Sequence, residues 1–192
     1  HSFNSPVLQA TSGKYLIYNL GGNGFKIEGS SNTIYSGNTS NNIIAGDIAG
    51  SGRYALVTET QGYPSSLSVY LTDNTVQYKY DFSEYYVTDI SLNSDGTRAA
   101  VSGITAKDGG IVSAVYIFDF SNPEPIAILT YNEVLMEKVE YMDNGTVAAI
   151  GDTTTSMING TTGEKVDYNY QSRQMTDYAI DKNRVALALT PY

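Results

Sequence analysis

Short apolar runs punctuated by Gly, Asn, Asp, Ser and Pro cover the chain almost from end to end, and the pattern is clearest between Val87 and Tyr131. There Thr88, Ile90 and Leu92 alternate with polar residues, as in a strand with one face in a core. Asn93-Ser-Asp-Gly-Thr97 supplies a residue that tolerates positive φ, and Arg98 to Ile104 resumes an apolar run, so the two read as a hairpin. The Lys107-Asp-Gly-Gly110 loop leads into Ile111 to Phe120, rich in β-branched and aromatic residues. Ser121-Asn-Pro-Glu-Pro125 cannot continue a ladder, because proline has no backbone N–H to give, and Ile126 to Tyr131 returns as a fourth strand. The span predicts one four-stranded antiparallel sheet and needs no helix.

The same order of strands and turns recurs along the chain. A first unit covers residues 6–36, with turns at Thr11-Ser-Gly-Lys14, Gly21-Gly-Asn-Gly24 and Gly29-Ser-Ser-Asn32; a second covers 43–82. After the third, at 87–131, a fourth with a compressed middle runs over 135–170, and a partial fifth, with two strands, occupies 175–192. Aligning the first hairpins puts Gly13, Gly52, Gly96 and Gly145 in corresponding places, followed by Asn183, and sets Ile48, Leu92 and Tyr141 in register. A period of about 40 to 50 residues with four strands per repeat is that of propeller blades; a β-sandwich would not require it. The expected fold is therefore all-β, a β-propeller of four-stranded antiparallel blades within one domain over 1–192. A fifth unit of two strands leaves the ring incomplete and one strand edge unpaired, to be met by further sequence or by a second chain.

Composition narrows the function classes. At 192 residues and 41% hydrophobic, the chain can bury a substantial core. Its net charge of −9, with eleven scattered Lys and Arg, argues against nucleic acid as a partner, since neutralising phosphates takes clustered cations. The absence of Cys removes thiolate nucleophiles, disulfides and thiolate metal sites together. No run reaches the length of a membrane-spanning helix. Seventeen Tyr without Trp, among many Ser, Thr, Asn and Gly, lean toward an extracytoplasmic setting. Asn38-Thr-Ser40, Asn144-Gly-Thr146 and Asn159-Gly-Thr161 match glycosylation acceptors but are expected to be unmodified turn residues.

The only His stands at position 1 and is set aside as a tag remnant, which leaves no Ser-His-Asp or Cys-His arrangement and no His-rich zinc site within the chain. Carboxylates remain. Asp47, Asp89, Glu140 and Asp177 fall on first strands, where a propeller glycosidase could set acids around its channel. Counted back from the turns, Asp47 matches Ser91 and Asp89 matches Ala45, so the acids are expected not to repeat at equivalent positions and to serve as ordinary strand carboxylates. Asn93-Ser-Asp-Gly and Asp143-Asn-Gly lack the spaced acids of a calcium loop and read as turns; Gly21-Gly-Asn-Gly24, with no helix after it, reads as a hairpin turn and not a phosphate cradle. No catalytic, metal or cofactor residues are assigned. Tyr78 and Tyr80 of the second unit match Tyr168 and Tyr170 of the fourth, each pair on one face of an outermost strand. Exposed, such rings would form an interaction surface for sugar or protein; packed, they would fill the space between blades.

Gly62-Tyr-Pro-Ser-Ser-Leu-Ser-Val-Tyr70, the strand, Ser-Asp-Gly and Ala-rich strand of Val87 to Val101, and Val115-Tyr-Ile-Phe-Asp-Phe120 before a proline turn together resemble a bacterial family of uncharacterised function. That family is found largely in Gram-positive anaerobes, and its members look like membrane-anchored propellers related to the WD-repeat and pyrroloquinoline-quinone-like propellers. The resemblance implies a longer protein with an N-terminal membrane helix, and supplies no catalytic motif to carry over. The Gly-His and Trp-Asp pairs of WD repeats are missing, as are the Trp docking motif and cofactor site of quinone-dependent dehydrogenases. The expected function is a non-catalytic, extracytoplasmic interaction or scaffolding propeller with a protein or carbohydrate partner. The alternatives are a carbohydrate-active enzyme using channel-facing carboxylates and a ligand-sensing ectodomain of a membrane protein.

Overall fold

The computed structural model describes residues 3–191, so His1, Ser2 and Tyr192 lie outside the described residues. Those residues form eighteen strands and no helix. Blade 1 contains β1 (Pro6–Thr11), β2 (Lys14–Asn19), β3 (Gly24–Gly29) and β4 (Thr33–Asn38); blade 2 contains β5 (Ile43–Ile48), β6 (Tyr54–Thr58), β7 (Ser65–Tyr70) and β8 (Val76–Phe82). Blade 3 contains β9 (Tyr86–Leu92), β10 (Arg98–Lys107), β11 (Gly110–Asp119) and β12 (Ala127–Asn132), and blade 4 contains β13 (Met136–Tyr141), β14 (Thr146–Gly151), β15 (Thr154–Asn159) and β16 (Lys165–Asn169). A last hairpin, β17 (Met175–Asp181) and β18 (Arg184–Leu189), begins blade 5. Strands in each sheet pair antiparallel in chain order. The expected all-β architecture of four-stranded antiparallel blades is what forms, and the blades do not close into a ring.

Local chemistry explains the hairpins. Between β10 and β11 the backbone turns through Asp108 (φ 52°) and Gly109 (φ 83°), two successive positive values that suit Asp-Gly and match the right-handed twist of the flanking strands. In the β9–β10 turn Gly96 has φ +74°, and a Cβ there would come within 2.7 Å of the Arg53 Cβ, so both torsion and space require glycine. Blades 2 to 5 share a bulge near the start of the first strand: the pairing skips Ile44, Thr88, Glu137 and Thr176. These four residues occupy the same place in each repeat, so the irregularity belongs to the repeat and not to one blade.

The core lies between the sheets. Leu16, Tyr18, Phe25 and Ile27 of blade 1 meet Tyr54 and Leu56 of blade 2. The opposite face of blade 2, with Val57, Leu67 and Val69, packs on Ala99, Val101 and Phe118 of blade 3. Ala100, Val115 and Ile117 then meet Val139, Val147 and Ile158 of blade 4. Strand alternation sends successive residues to opposite neighbours, so the second strands of blades 2, 3 and 4 are buried on two faces and read as nearly continuous apolar sequence. The aligned Ile48, Leu92 and Tyr141 are all buried, one in each of these three layers.

Candidate functional site

First strands β5, β9 and β13 run beside one another, which makes them the inner wall of the arc. Their polar side chains follow one rule. Asp47 Oδ2 accepts the Leu92 N–H at 2.7 Å, Asp89 Oδ2 accepts the Val139 N–H at 3.0 Å, and Ser91 Oγ accepts the Tyr141 N–H at 2.9 Å. Each side chain thus reaches forward to the first strand of the next blade and binds the residue one place further along the repeat. The pairing also corrects one sequence expectation. Ile48, Leu92 and Tyr141 pair with Tyr54, Ala99 and Val147, and one step back Asp47, Ser91 and Glu140 pair with Ala55, Ala100 and Ala148. Asp47 and Glu140 therefore do hold equivalent positions, with Ser91 between them; the comparison of Asp47 with Asp89 alone hid this. The shared bulge places Asp89, Lys138 and Asp177 at a second equivalent position.

Electrostatics follow from this crowding. Lys138 Nζ lies 3.5 Å from Asp89 and 3.7 Å from Glu140. Burial pushes the Asp47 carboxyl up to about 7, against the pull of its Leu92 hydrogen bond. Burial also raises Asp89 and Glu140, with Lys138 opposing the shift in both. For Lys138 itself, burial works against the charge, but Asp89 and Glu140 outweigh it and its pKa is raised. This group is a partly buried ionic network whose main contacts hold blades 2, 3 and 4 together. Among the described residues, no group of three or more acidic side chains is arranged to hold a metal ion.

The four tyrosines have separate environments. Tyr78 is 8% exposed, donates its hydroxyl to the Pro123 carbonyl at 2.7 Å, and packs on Phe118 and Phe120. Tyr80 lies against Phe82, Tyr116 and Phe118, so this pair fills the layer between blades 2 and 3. Tyr170, 2% exposed, sits just past β16, with its hydroxyl 2.5 Å from Thr155 Oγ1 and donating to the Gly151 carbonyl at 3.0 Å. Tyr168 alone of the four is open to solvent, at 56% exposure, beside Val166 at 57%.

Two clefts lie where blade 4 faces blade 5. An apolar cleft of about 360 Å³ is lined by Thr155, Met157 and Tyr168 of blade 4 and by Val185 and Leu187 of β18. At the rim, a polar cleft of about 770 Å³ lies among Glu137, Asp152, Asn169, Gln174, Asp177 and Tyr178. The strand register corrects the match of Tyr78 and Tyr80 with Tyr168 and Tyr170: Tyr80 stands opposite Leu67 as Tyr168 does opposite Thr155, so Tyr168 is the counterpart of Tyr80 and Tyr170 that of Phe82, and the alternate spacing of tyrosines alone had set the pairs two residues out.

Comparison with solved structures places the architecture. The chain is similar to KlHsv2 with loop 6CD replaced by a Gly-Ser linker, a Kluyveromyces lactis protein (TM-score 0.69, 11% identity, 98% of this chain and 63% of that one). It is similar to the Neurospora crassa Pan2 WD40 domain (TM-score 0.62, 8% identity, 94% of this chain and 57% of that one). It is also similar to Kuenenia stuttgartiensis hydrazine synthase (TM-score 0.59, 11% identity, 86% of this chain and 53% of that one). The chain thus spans between about half and two thirds of the length of these structures, and identities this low speak for the fold alone. No curated protein matches the sequence. The model of one family, described as a family of unknown function (DUF5711), matches residues 1–191, and the chain belongs to that family of WD40-like β-propeller architecture.

Proposed function

We propose that this chain is a non-catalytic interaction or scaffolding module working outside the cytoplasm, in a protein held at the membrane by a segment beyond these residues. One observation carries the reading. The inner-wall side chains that channel chemistry would need, Asp47, Asp89 and Ser91, are engaged in holding the next blade by its backbone N–H groups. A rigid stack of sheets with variable edges and loops suits recognition, and the WD40-like fold supports a protein as partner. A net charge of −9 favours neutral or basic partner surfaces. Location and anchor rest on composition and on the resemblance in sequence, and fractionation of cells expressing the full-length protein tests both.

A carbohydrate-active enzyme is the second reading, favoured by a carboxyl at Asp47 raised to about 7 on the same wall as Glu140. Assay of the purified chain on a panel of aryl glycosides separates the two. The interaction reading expects no turnover above buffer, and turnover abolished by Asp47→Asn would replace it with the enzyme reading.

A further inference from the structure

The junction between blades 1 and 2 differs from the next two in its outer half. At the second junction the outermost strand of the preceding blade, β8, presents Tyr78, Tyr80 and Phe82 to Tyr116 and Phe118 of β11. At the third, β12 presents Leu129 and Tyr131 to the cluster that contains Ile158 of β15. At the first, β4 pairs Tyr35 with Ile27 and Gly37 with Phe25, so Tyr35 and Gly37 share the face turned to blade 2. Gly37 offers no side chain, and a Cβ there would come within 2.9 Å of both the Phe25 and the Tyr35 ring. On the opposite wall Leu67 and Val69 of β7 pack toward blade 3, which leaves Ser66, Ser68 and Tyr70 toward blade 1, with Lys79 of β8 paired to Ser68. Small residues thus face each other across the gap. A polar cleft of about 310 Å³ remains where the other two junctions are filled by rings, and both sheets that wall it have four strands.

We infer that this cleft between blades 1 and 2 binds a single hexopyranose ring, the terminal residue of a glycan. Its volume lies at the small end of ligand-sized pockets, which run from about 300 to 1,000 Å³, and suits one ring. Asn41, Thr58, Ser66 and Ser68 line it together with Tyr70 and Lys79. A side-chain hydroxyl both donates and accepts, as each hydroxyl of a sugar does, so a densely hydroxylated ligand satisfies the most of them. An apolar peptide side chain in the same place would leave them without partners. Tyr70, half-buried and stacked on Tyr54 at 4.8 Å, supplies an aromatic edge for the C–H groups of the ring. Lys79 is exposed and in no ion pair with a described residue, so its ammonium is open to donate to a sugar oxygen. The rim is set before any ligand arrives. Thr39 donates its N–H to the Asn23 carbonyl at 2.8 Å and its hydroxyl to the Asn41 carbonyl at 2.7 Å, while Asn42 Nδ2 donates to Glu59 Oε2 at 3.0 Å, which ties the connector to both blades and lowers the cost of ordering it. No acidic side chain lines the cleft, and Asp81 beside it accepts the Ser66 hydroxyl at 2.6 Å, so the paired carboxylates of a glycosidase are missing and the sugar is held without being cleaved. The inference goes beyond the protein-interaction reading and does not depend on it.

The test is a titration of the isotope-labelled chain with the methyl glycosides of glucose, galactose, mannose, N-acetylglucosamine and glucuronic acid, followed by backbone amide shifts. Saturable shifts centred on residues 39–41, 58, 66–68 and 79 are expected with at least one of them, at a Kd on the order of 1 mM, as suits so small and polar a ligand. Ser68→Phe places a ring in the cleft and should weaken that binding by at least about tenfold, with a melting midpoint close to the parent's; Lys79→Met, at an exposed position, should weaken it by about threefold or more. Absence of saturable shifts with all of these glycosides overturns the inference and leaves the protein-interaction reading standing. Shifts centred elsewhere, or binding undiminished in either variant, overturn the site. Binding of a methyl glycoside without binding of the oligosaccharide built from the same sugar overturns a glycan end in favour of a free monosaccharide.

Discussion

At the scale of single residues, equal spacing in the repeat does not mean equal energy. Leu92 is 6% exposed in the layer between blades 2 and 3, and Leu92→Ala is expected to cost about 2 to 5 kcal/mol in denaturant melts. Tyr170→Phe removes a hydroxyl that serves both Thr155 and the Gly151 carbonyl and should cost about 1 kcal/mol. The same change at exposed Tyr168 should leave the midpoint within about 0.5 kcal/mol of the parent. Asp47 links stability to pH. Its folded value of about 7 stands above the ordinary carboxylate value of about 3.9, so over that range the native state binds more proton than the unfolded chain. Its stabilising contribution is full below about pH 4 and lost as pH rises through about 7. Asp47→Asn, which keeps an acceptor for Leu92 N–H, should flatten that dependence and raise stability at pH 8, by an amount on the order of 1 to 3 kcal/mol. Urea melts at pH 5 and pH 8 check the sign.

Among the elements, the two longest strands, β10 and β11, pair over ten residues and are covered on both faces. The β17–β18 hairpin has its apolar residues only half buried and supplies none to the three main core clusters. Local opening free energy follows buried apolar contact. Hydrogen exchange should therefore be slowest in β10 and β11, approaching the global limit, and fastest among the strands in β17 and β18. Equal protection of the two hairpins would mean that blade 5 is already packed as the other blades are. The Asp108-Gly109 turn leaves the β10–β11 hairpin no other register, so its strands should remain paired in the most protected unit.

For the whole molecule, stability is distributed along the arc as a sum over neighbouring sheets. Each layer is made by two adjacent blades, and removing the last hairpin should leave the others in place. A chain ended after Gln174 is expected to stay folded, with a far-ultraviolet β spectrum and a melting midpoint within about 2–4 °C of the parent, as a loss of about 1 kcal/mol would give. Global unfolding on that deletion would show that blade 5 closes a contact the arc depends on. The surplus of negative charge acts at the same scale, and retention on heparin at low salt would contradict the absence of a basic footprint.

Strand order, the turn positions and the blade period were legible in the sequence alone, because each is a local matter: alternation sets the strand, and Gly, Asn, Asp and Pro set where it can turn. The shared burial of Ile48, Leu92 and Tyr141 was legible too, since a repeat puts equivalent residues in equivalent layers. What only the tertiary structure decided is which partner each side chain meets. Asp47, Asp89 and Ser91 bind backbone groups forty-five to fifty residues away in the next blade. A backbone N–H leaves no mark on the sequence of its own residue, so no pattern could announce those bonds. Tyr80 and Tyr168 hold the same place in the repeat, yet one is packed against Tyr116 and Phe118 and the other is open, because exposure depends on whether a strand from the following blade lies across the ring, and that is a property of the neighbour.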